Sequence, residues 1–298
     1  KCRTTRHRKG RLMRNKDTFS SYHPAINFLF FGLVLIFTMF LMHPACLLIS
    51  FGCAVAYNIS LNGRKAAGFS AVLLVLALLN PLFNHEGATI LTYLPNGNPL
   101  TLESMLYGLA SSLMLASVFN WFACYTAVMT SDKFIYLFGR IIPALSLVLS
   151  MTLRFVPKFK AQYQVVAQAR SCAVRENKLR RGAAILSVMV TWALENAIET
   201  ADSMKSRGYG LPGRTAFSIY RFDERDRTAL LWLLAAGGYF AAGWLAGGMS
   251  WHYYPQLGGA EMGAFPLSFQ AVYLALCLTP MILNKWEDRK WKRLQSEI

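Results

Sequence analysis

Charge is scarce in this 298-residue chain: only 15% of its residues are Asp, Glu, Lys or Arg, against about 25% in a soluble domain. The scarcity is one-sided, because 31 Lys and Arg stand against 15 Asp and Glu, a formal charge of +16. A nucleic-acid-binding surface of that basicity belongs on a more polar chain, so nucleic acid is excluded as the expected partner. Low charge with strong basicity fits a chain embedded in a lipid bilayer that keeps its few cations on one side.

Other absences narrow the chemistry. The six cysteines (Cys2, Cys46, Cys53, Cys124, Cys172 and Cys277) form no CxxC pair, and four of them fall in apolar runs. They read as small core residues, not as a disulfide or metal framework. The five histidines (His7, His23, His43, His85 and His252) have no ligand spacing, so no metal is expected. No GxxxxGKS/T phosphate loop occurs, so the chain is not expected to hydrolyse ATP itself. The long apolar runs contain Asn27, Asn80, Asn120, serines and threonines but no acid, Lys or Arg. Proton relays, charged-substrate sites and intramembrane proteolytic centres are built on such groups. The expectation is a protein without catalytic residues or cofactor.

Long uncharged runs are abundant instead. Residues 18–63 hold 46 positions without a charge, enough for two helices of roughly 20 residues. The first leg is Ala25 to Met42, His43-Pro44 marks the turn because proline disfavours helix at the residue before it, and the second leg runs to about Ser60. Further spans are expected at Ala66 to Phe83, Ser104 to Thr130, Thr228 to Trp251 and Met262 to Asn284, six in all. The segment before the first span is basic, but the run that follows is long enough to span and has no small-residue cleavage site after it, so it reads as an uncleaved anchor.

The cations give the orientation. Eight precede the first span, two (Arg64 and Lys65) follow the second, sixteen lie between Lys133 and Arg227, and five follow Asn284, which accounts for all 31. The turn at His43 and the loops 84–103 and 252–261 hold none. Six spans with both termini in the cytoplasm therefore obey the positive-inside rule throughout. The expected organisation is a basic N-terminal segment (1–24), four transmembrane helices (25–130), a cytoplasmic module (131–227), two transmembrane helices (228–284) and a basic cytoplasmic tail (285–298). This is an all-α integral membrane protein of the cell membrane. Two apolar runs inside the module, Ile141 to Leu153 and Gly182 to Leu194, have 13 residues each. That is short for a span, but as a re-entrant or extra pair they would keep the charge parity, so the span count ranges from five to eight.

The module reads as an interfacial helix around Lys133 to Arg154, a second helix opened by Pro157 in its first turn, and a third from Ala183 to about Arg207. On a 100° wheel, Phe159, Tyr163, Val166, Ala173 and Val174 form an apolar stripe with Arg170 at its centre. A cation on the face that expects burial either inserts into a partner or snorkels past the stripe to solvent. Glu195, Glu199 and Asp202 share a face of the third helix and read as ion-pair partners for the neighbouring basic helix, not as a metal site, because no His or Cys accompanies them. Gly208-Tyr209-Gly210-Leu211-Pro212-Gly213 ends that helix and leaves Arg207 at its tip.

Ala169-Arg170-Ser171 and Ser206-Arg207-Gly208, the latter inside ADSMKSRGYG, resemble the paired Ala-Arg-Gly motifs of the transmembrane T component of energy-coupling factor (ECF) transporters. The upstream segment TSDKFIYLFGRIIPALSLVLSMTLRFVPKF is similar to the lead into that family's coupling helices. The resemblance covers about Ser131 to Gly213 and departs from the pattern at Ser171 and Ser206, which keep a small residue beside each arginine. It implies a coupling-helix module in which Arg170 and Arg207 dock into two cytoplasmic ATP-binding-cassette ATPase subunits. It also implies that the spans hold a small membrane-embedded S component that binds a vitamin or metal ion, so that the chain is a non-catalytic scaffold converting ATPase motion into movement of that component. Gly243 and Gly247 form a GxxxG pair, read either as internal helix packing or as a sliding contact with the S component. The alternative is a self-contained membrane carrier or membrane enzyme whose basic module binds anionic lipid or substrate.

Overall fold

The computed structural model describes residues 17–63, 68, 89–93, 99–139, 142–173, 177–212, 220–254, 258–259 and 263–296. The chain divides into two compact units, one made of Lys1–Thr130 with Tyr220–Ile298, the other of Ser131–Ile219.

In the first unit the described helices are α1 (Pro24–Phe40), α2 (Pro44–Asn62), α3 (Leu102–Val128), which a short turn separates from the second unit, and then α7 (Glu224–Leu245) and α8 (Ala264–Ser296). Local chemistry sets their ends. Pro24 and Pro44 occupy the first turns of α1 and α2, where a missing N–H costs nothing. The His23 Nδ1 accepts the Ala25 N–H at 3.3 Å. Burial lowers the pKa of this imidazole from its usual value, against the opposing pull of Asp226. Thr101 caps α3 by accepting the Ser104 N–H at 3.3 Å, and Asp223 with Asp226 forms a reciprocal capping box on α7.

Two small antiparallel ribbons, β1 (Ile90–Tyr93) with β2 (Pro99–Thr101) and β3 (Trp251–His252) with β4 (Gly258–Gly259), lie in the segments that carry no basic residue.

Four of the helices, α2, α3, α7 and α8, are long and apolar enough to cross a membrane, which makes this a mostly helical, multi-pass membrane protein. The helix α1 has 17 residues, about 26 Å at 1.5 Å per residue, the lower limit for a span. The expected span at Ala66 to Phe83 lies outside the described residues apart from Gly68. The fifth expected span reached Trp251, but α7 stops at Leu245 and Trp251 belongs to β3. The reason is Gly247, which adopts φ +75° and donates to the Trp244 carbonyl at 3.0 Å while Gly248 donates to Gly243 at 3.2 Å. Those paired bonds are a Schellman termination. The sixth span begins as expected but continues as unbroken helix through the basic tail to Ser296.

Apolar residues lie on the outer surface as well as in the core, and polar groups are buried among them. Ile36, Phe40, Leu48, Leu231, Leu245 and Leu267 are exposed, at 52 to 81% of their full surface, while Thr38, Ser50 and Asn120 are buried. The buried groups bond one another. The Thr38 hydroxyl lies 2.8 Å from that of Ser50 and 3.0 Å from that of Tyr273, and the Trp121 indole N–H donates to Ser50 at 3.0 Å. One node thus joins α1, α2, α3 and α8. The Asn58 amide donates to Asn120 at 2.9 Å, a second link between α2 and α3. Hydrocarbon offers no such partners, so these bonds and close packing, not hydrophobic expulsion, hold the helices together. Around the node, α1 carries Ile26, Phe30, Phe31, Val34 and Phe37 into the core, where Phe240 stacks on Tyr273 at 4.8 Å and 14°.

Both ends of this unit are tied. At the basic end Asp17 accepts from Tyr57 at 2.7 Å and also from the Asn284 amide, whose oxygen takes the Phe19 N–H at 3.0 Å. Arg225 pairs with Glu287 at 3.0 Å and sits 4.4 Å over the Tyr22 ring. At the other end the Tyr253 hydroxyl donates to the Met42 carbonyl at 2.8 Å, and His43 meets Trp251 edge-on at 5.4 Å.

Gly243 belongs to this packing. A Cβ there would stand 2.4 Å from Phe269, so α7 and α8 approach through it. Gly247 lies beyond the helix, with nothing within 4 Å of an added Cβ, so of this pair Gly243 alone supports the internal-packing branch of the GxxxG reading. A Gly243→Val substitution is therefore expected to destabilise the unit by about 1–3 kcal/mol through overpacking. Gly238→Ala, with nothing within 4 Å of the added carbon, should be neutral or slightly stabilising. Thermal unfolding in detergent checks both, and equal melting of Gly243→Val and the parent would contradict the packing.

Candidate functional site

The second unit contains α4 (Ser131–Gly139), α5 (Pro143–Ala173) and α6 (Lys178–Ser206). The single interfacial helix expected around Lys133 to Arg154 is two helices. Gly139 approaches so closely that a Cβ would fall on the Ser146 hydroxyl, and Pro143 opens α5 while disfavouring helix at Ile142 before it. Pro157 does not start a helix, contrary to the sequence expectation: it lies inside α5, 31 residues long. The bond it removes would have run to the carbonyl of Leu153, and both residues are exposed, so the gap falls on an open face.

The helices α5 and α6 pair antiparallel. Trp192 of α6 stacks on Phe155 of α5 at 5.6 Å and 23° and meets Phe159 at 6.3 Å. Nearer the connection, Arg181 Nη2 donates to the Ala167 carbonyl at 3.2 Å. The core between them is thin, with Ile185 and Met189 its buried hydrophobics among the described residues. From Val190 to Arg207 no residue is buried. Leu186, Leu194 and Ile198 of α6 and Val148, Val156 and Val165 of α5 are more than half exposed. An open apolar groove of about 490 Å³ runs along Phe155, Val156, Phe159 and Tyr163. Of the stripe expected to be buried, Phe159 and Tyr163 are exposed and Val166 is half-buried, while the side chains of Ala173 and Val174 lie outside the described residues; exposed apolar surface of this extent on a helix pair fits a contact face for a partner or for lipid.

The two arginines singled out from the sequence are not brought together. Ala169, Arg170 and Ser171 lie in the last turns of α5, with Arg170 half-buried, its two neighbours exposed, and the Ser171 hydroxyl donating to the Gln168 carbonyl at 2.6 Å. Arg207 is the C-cap of α6 and is exposed. The Arg181 to Ala167 bond places the Arg170 end beside the start of α6, so roughly 26 helical residues, about 40 Å, separate it from Arg207. The termination that presents Arg207 is fully bonded. Gly208, at φ +79°, donates to Lys205 at 2.9 Å and Tyr209 donates to Met204 at 3.0 Å, while the Ser206 hydroxyl turns back to Ser203 at 2.9 Å.

Glu195, Glu199 and Asp202 are exposed and form no ion pair among the described residues, and Arg175 of the neighbouring basic segment lies outside those residues. Among the described residues no cluster of three or more His, Cys, Asp or Glu is placed to hold a metal. Sequence reasoning missed Trp192 and Arg181, although a Trp in a short apolar run opposite Phe155 and Phe159, spaced one turn apart, was a usable signal. Comparison with protein-family models and with curated proteins finds no match for this chain.

The tip of α6 should depend on Gly208. Gly208→Val forces a β-branched residue into left-handed backbone, which costs about 1–2 kcal/mol, and should release the Gly208 and Tyr209 amides to fast hydrogen exchange. Gly182→Ala, in open space within α6, should leave them protected. Equal protection in the parent and Gly208→Val would contradict the assigned termination.

Proposed function

We propose that this chain is the transmembrane scaffold of an ECF-type importer, coupling ATP hydrolysis by two cytoplasmic ATP-binding-cassette subunits to movement of a small substrate-binding membrane protein. The observation that carries the reading is the placement of two small-Arg-small motifs at opposite ends of an antiparallel helix pair whose own core is thin and whose apolar faces are open. A pair built in this way suits a lever between partners better than a self-sufficient domain. The first unit, braced at both ends and through its buried hydroxyl node, is the fixed body in the membrane, with its basic end on the cytoplasmic side.

The physics of the step follows from this geometry. ATP binding and hydrolysis close and open an ATPase dimer, and an arginine seated in each subunit would carry that displacement into the crossing of α5 and α6, which turn about the Phe155, Phe159 and Trp192 contact. Arginine suits both tips because its planar, permanently charged fork makes several hydrogen bonds in a groove. The flanking Ala169, Ser171, Ser206 and Gly208 leave room for close approach. The open apolar faces of α5 and α6 would take the substrate-binding subunit, and no chemistry is assigned to this chain itself. The transported vitamin or metal ion is chosen by that subunit.

Charge reversal tests the assignment. Arg170→Glu and Arg207→Glu should each lower transport-coupled ATP hydrolysis in the assembled complex at least tenfold, consistent with loss of charge-assisted bonds worth about 1.5–3 kcal/mol. The double variant should abolish it while membrane insertion and expression stay at the parent level. Full transport by the double variant would overturn the proposal.

A further inference from the structure

The first unit carries a groove of about 1000 Å³ between the start of α7 and the end of α8, at the upper end of the range for small-molecule sites, roughly 300–1,000 Å³. Its floor is apolar, formed by Ala229, Trp232, Thr279, Ile282 and Leu283. The polar atoms of that floor are already used, since the Trp232 N–H donates to the Thr279 hydroxyl at 3.2 Å, which in turn donates to the Ala275 carbonyl at 2.9 Å. The floor therefore presents little but hydrocarbon.

The mouth is different. Arg225 and Lys290 line it together with Trp286 and Trp291, whose side chains are 60% and 63% exposed. Glu287 also faces the groove, but it is held by Arg225 at 3.0 Å. Lys290 makes no ion pair among the described residues. The helix α8 is 33 residues long, about 50 Å, so it outruns a hydrocarbon core of about 30 Å. The change from Ile282 and Leu283 to Trp286, Lys290 and Trp291 marks the crossing into the headgroup layer, where indole rings and basic side chains concentrate.

We propose that this groove holds one anionic phospholipid of the leaflet on the basic side, its phosphate at Lys290 and Arg225, its glycerol region between Trp286 and Trp291, and an acyl chain along the floor. The occupant follows from the charge and from the layering: cations and indoles at the mouth, with a polar-satisfied apolar channel running inward from them along two membrane helices. A soluble anion would use the mouth and leave the floor empty; an apolar peptide would leave Lys290 unmatched. Bound there, the lipid would wedge the tail of α8 against the start of α7, beside the Arg225–Glu287 pair that already joins them.

The test uses the full chain in mild detergent, titrated with phosphatidylglycerol or phosphatidylcholine of the same acyl chains and read by native mass spectrometry. The first phosphatidylglycerol adduct should be retained at least about fivefold better than phosphatidylcholine, and Lys290→Glu should remove that preference. Lys292→Glu makes the same charge change about 200° away around α8 and should retain the adduct within twofold. Trp291→Ala should weaken retention of phosphatidylglycerol without unfolding the chain, since the ring is exposed. Equal retention of the two lipids, equal losses at Lys290 and Lys292, or displacement of the adduct by millimolar inorganic phosphate would each overturn the proposal. Because binding is read without ATPase subunits, its failure is separate from any failure of the scaffold reading.

Discussion

A surrounding medium that cannot form hydrogen bonds is the constraint on which the first unit depends. In hydrocarbon every polar group must find its partner inside the protein, and the chain answers with the Thr38, Ser50, Tyr273 and Trp121 node, a meeting of four helices through three short bonds. Apolar residues pack around this node, as Phe30, Phe31 and Phe240 do, and also cover the outer surface, where Ile36, Phe40 and Leu245 are exposed. Removing one hydroxyl from such a node leaves another polar atom without a partner in an environment that cannot supply one, so the network sets helix position more sharply than apolar packing alone. With the ties at Asp17 and Asn284 and at Tyr253 and Met42, the result is a braced body.

The second unit obeys a different rule. Among the described residues its helices meet through a Trp and Phe contact and two buried hydrophobics, Ile185 and Met189, too little to fix a long helix pair by itself, and one of the helices carries a mid-helix proline. Under the proposed role such a pair would change its crossing at small energetic cost, and a braced body joined in sequence to it, with a cation near each end, would serve as a mechanical coupler. The fully bonded termination at Gly208 and Tyr209 suits the same purpose: a tip that passes on force has to end in a defined direction.

Much of this was legible in the sequence wherever a feature is local. His43-Pro44 and Gly208 mark helix ends because proline and glycine act on the backbone at their own positions. The uncharged runs located α2, α3 and the start of α8 because the bilayer acts on composition over some 20 residues. Features requiring two or more segments were not legible. The hydroxyl node joins positions 38, 50, 121 and 273, whose proximity no spacing reveals. Pro157 reads as a helix start because proline is favoured in a first turn, yet α5 runs through it and the break falls between Gly139 and Pro143. Gly243 and Gly247 share a four-residue spacing, but the positive φ of Gly247 removes it from the helix. For the candidate site, the identity of Arg170 and Arg207 came from their neighbours and Arg207's position from Gly208. Their separation along α6, and the openness of the faces between them, came only from the fold.

The central claim is that this chain works between partners and not alone. Its most direct test is to purify the chain from native membranes in mild detergent and identify by mass, with stoichiometry, what comes with it. The account predicts two ATP-binding-cassette subunits, identical or different, and a small multi-span membrane protein per chain, all lost together from the Arg170→Glu, Arg207→Glu double variant except the membrane subunit. A chain that purifies alone and carries transport or catalytic activity by itself would contradict it.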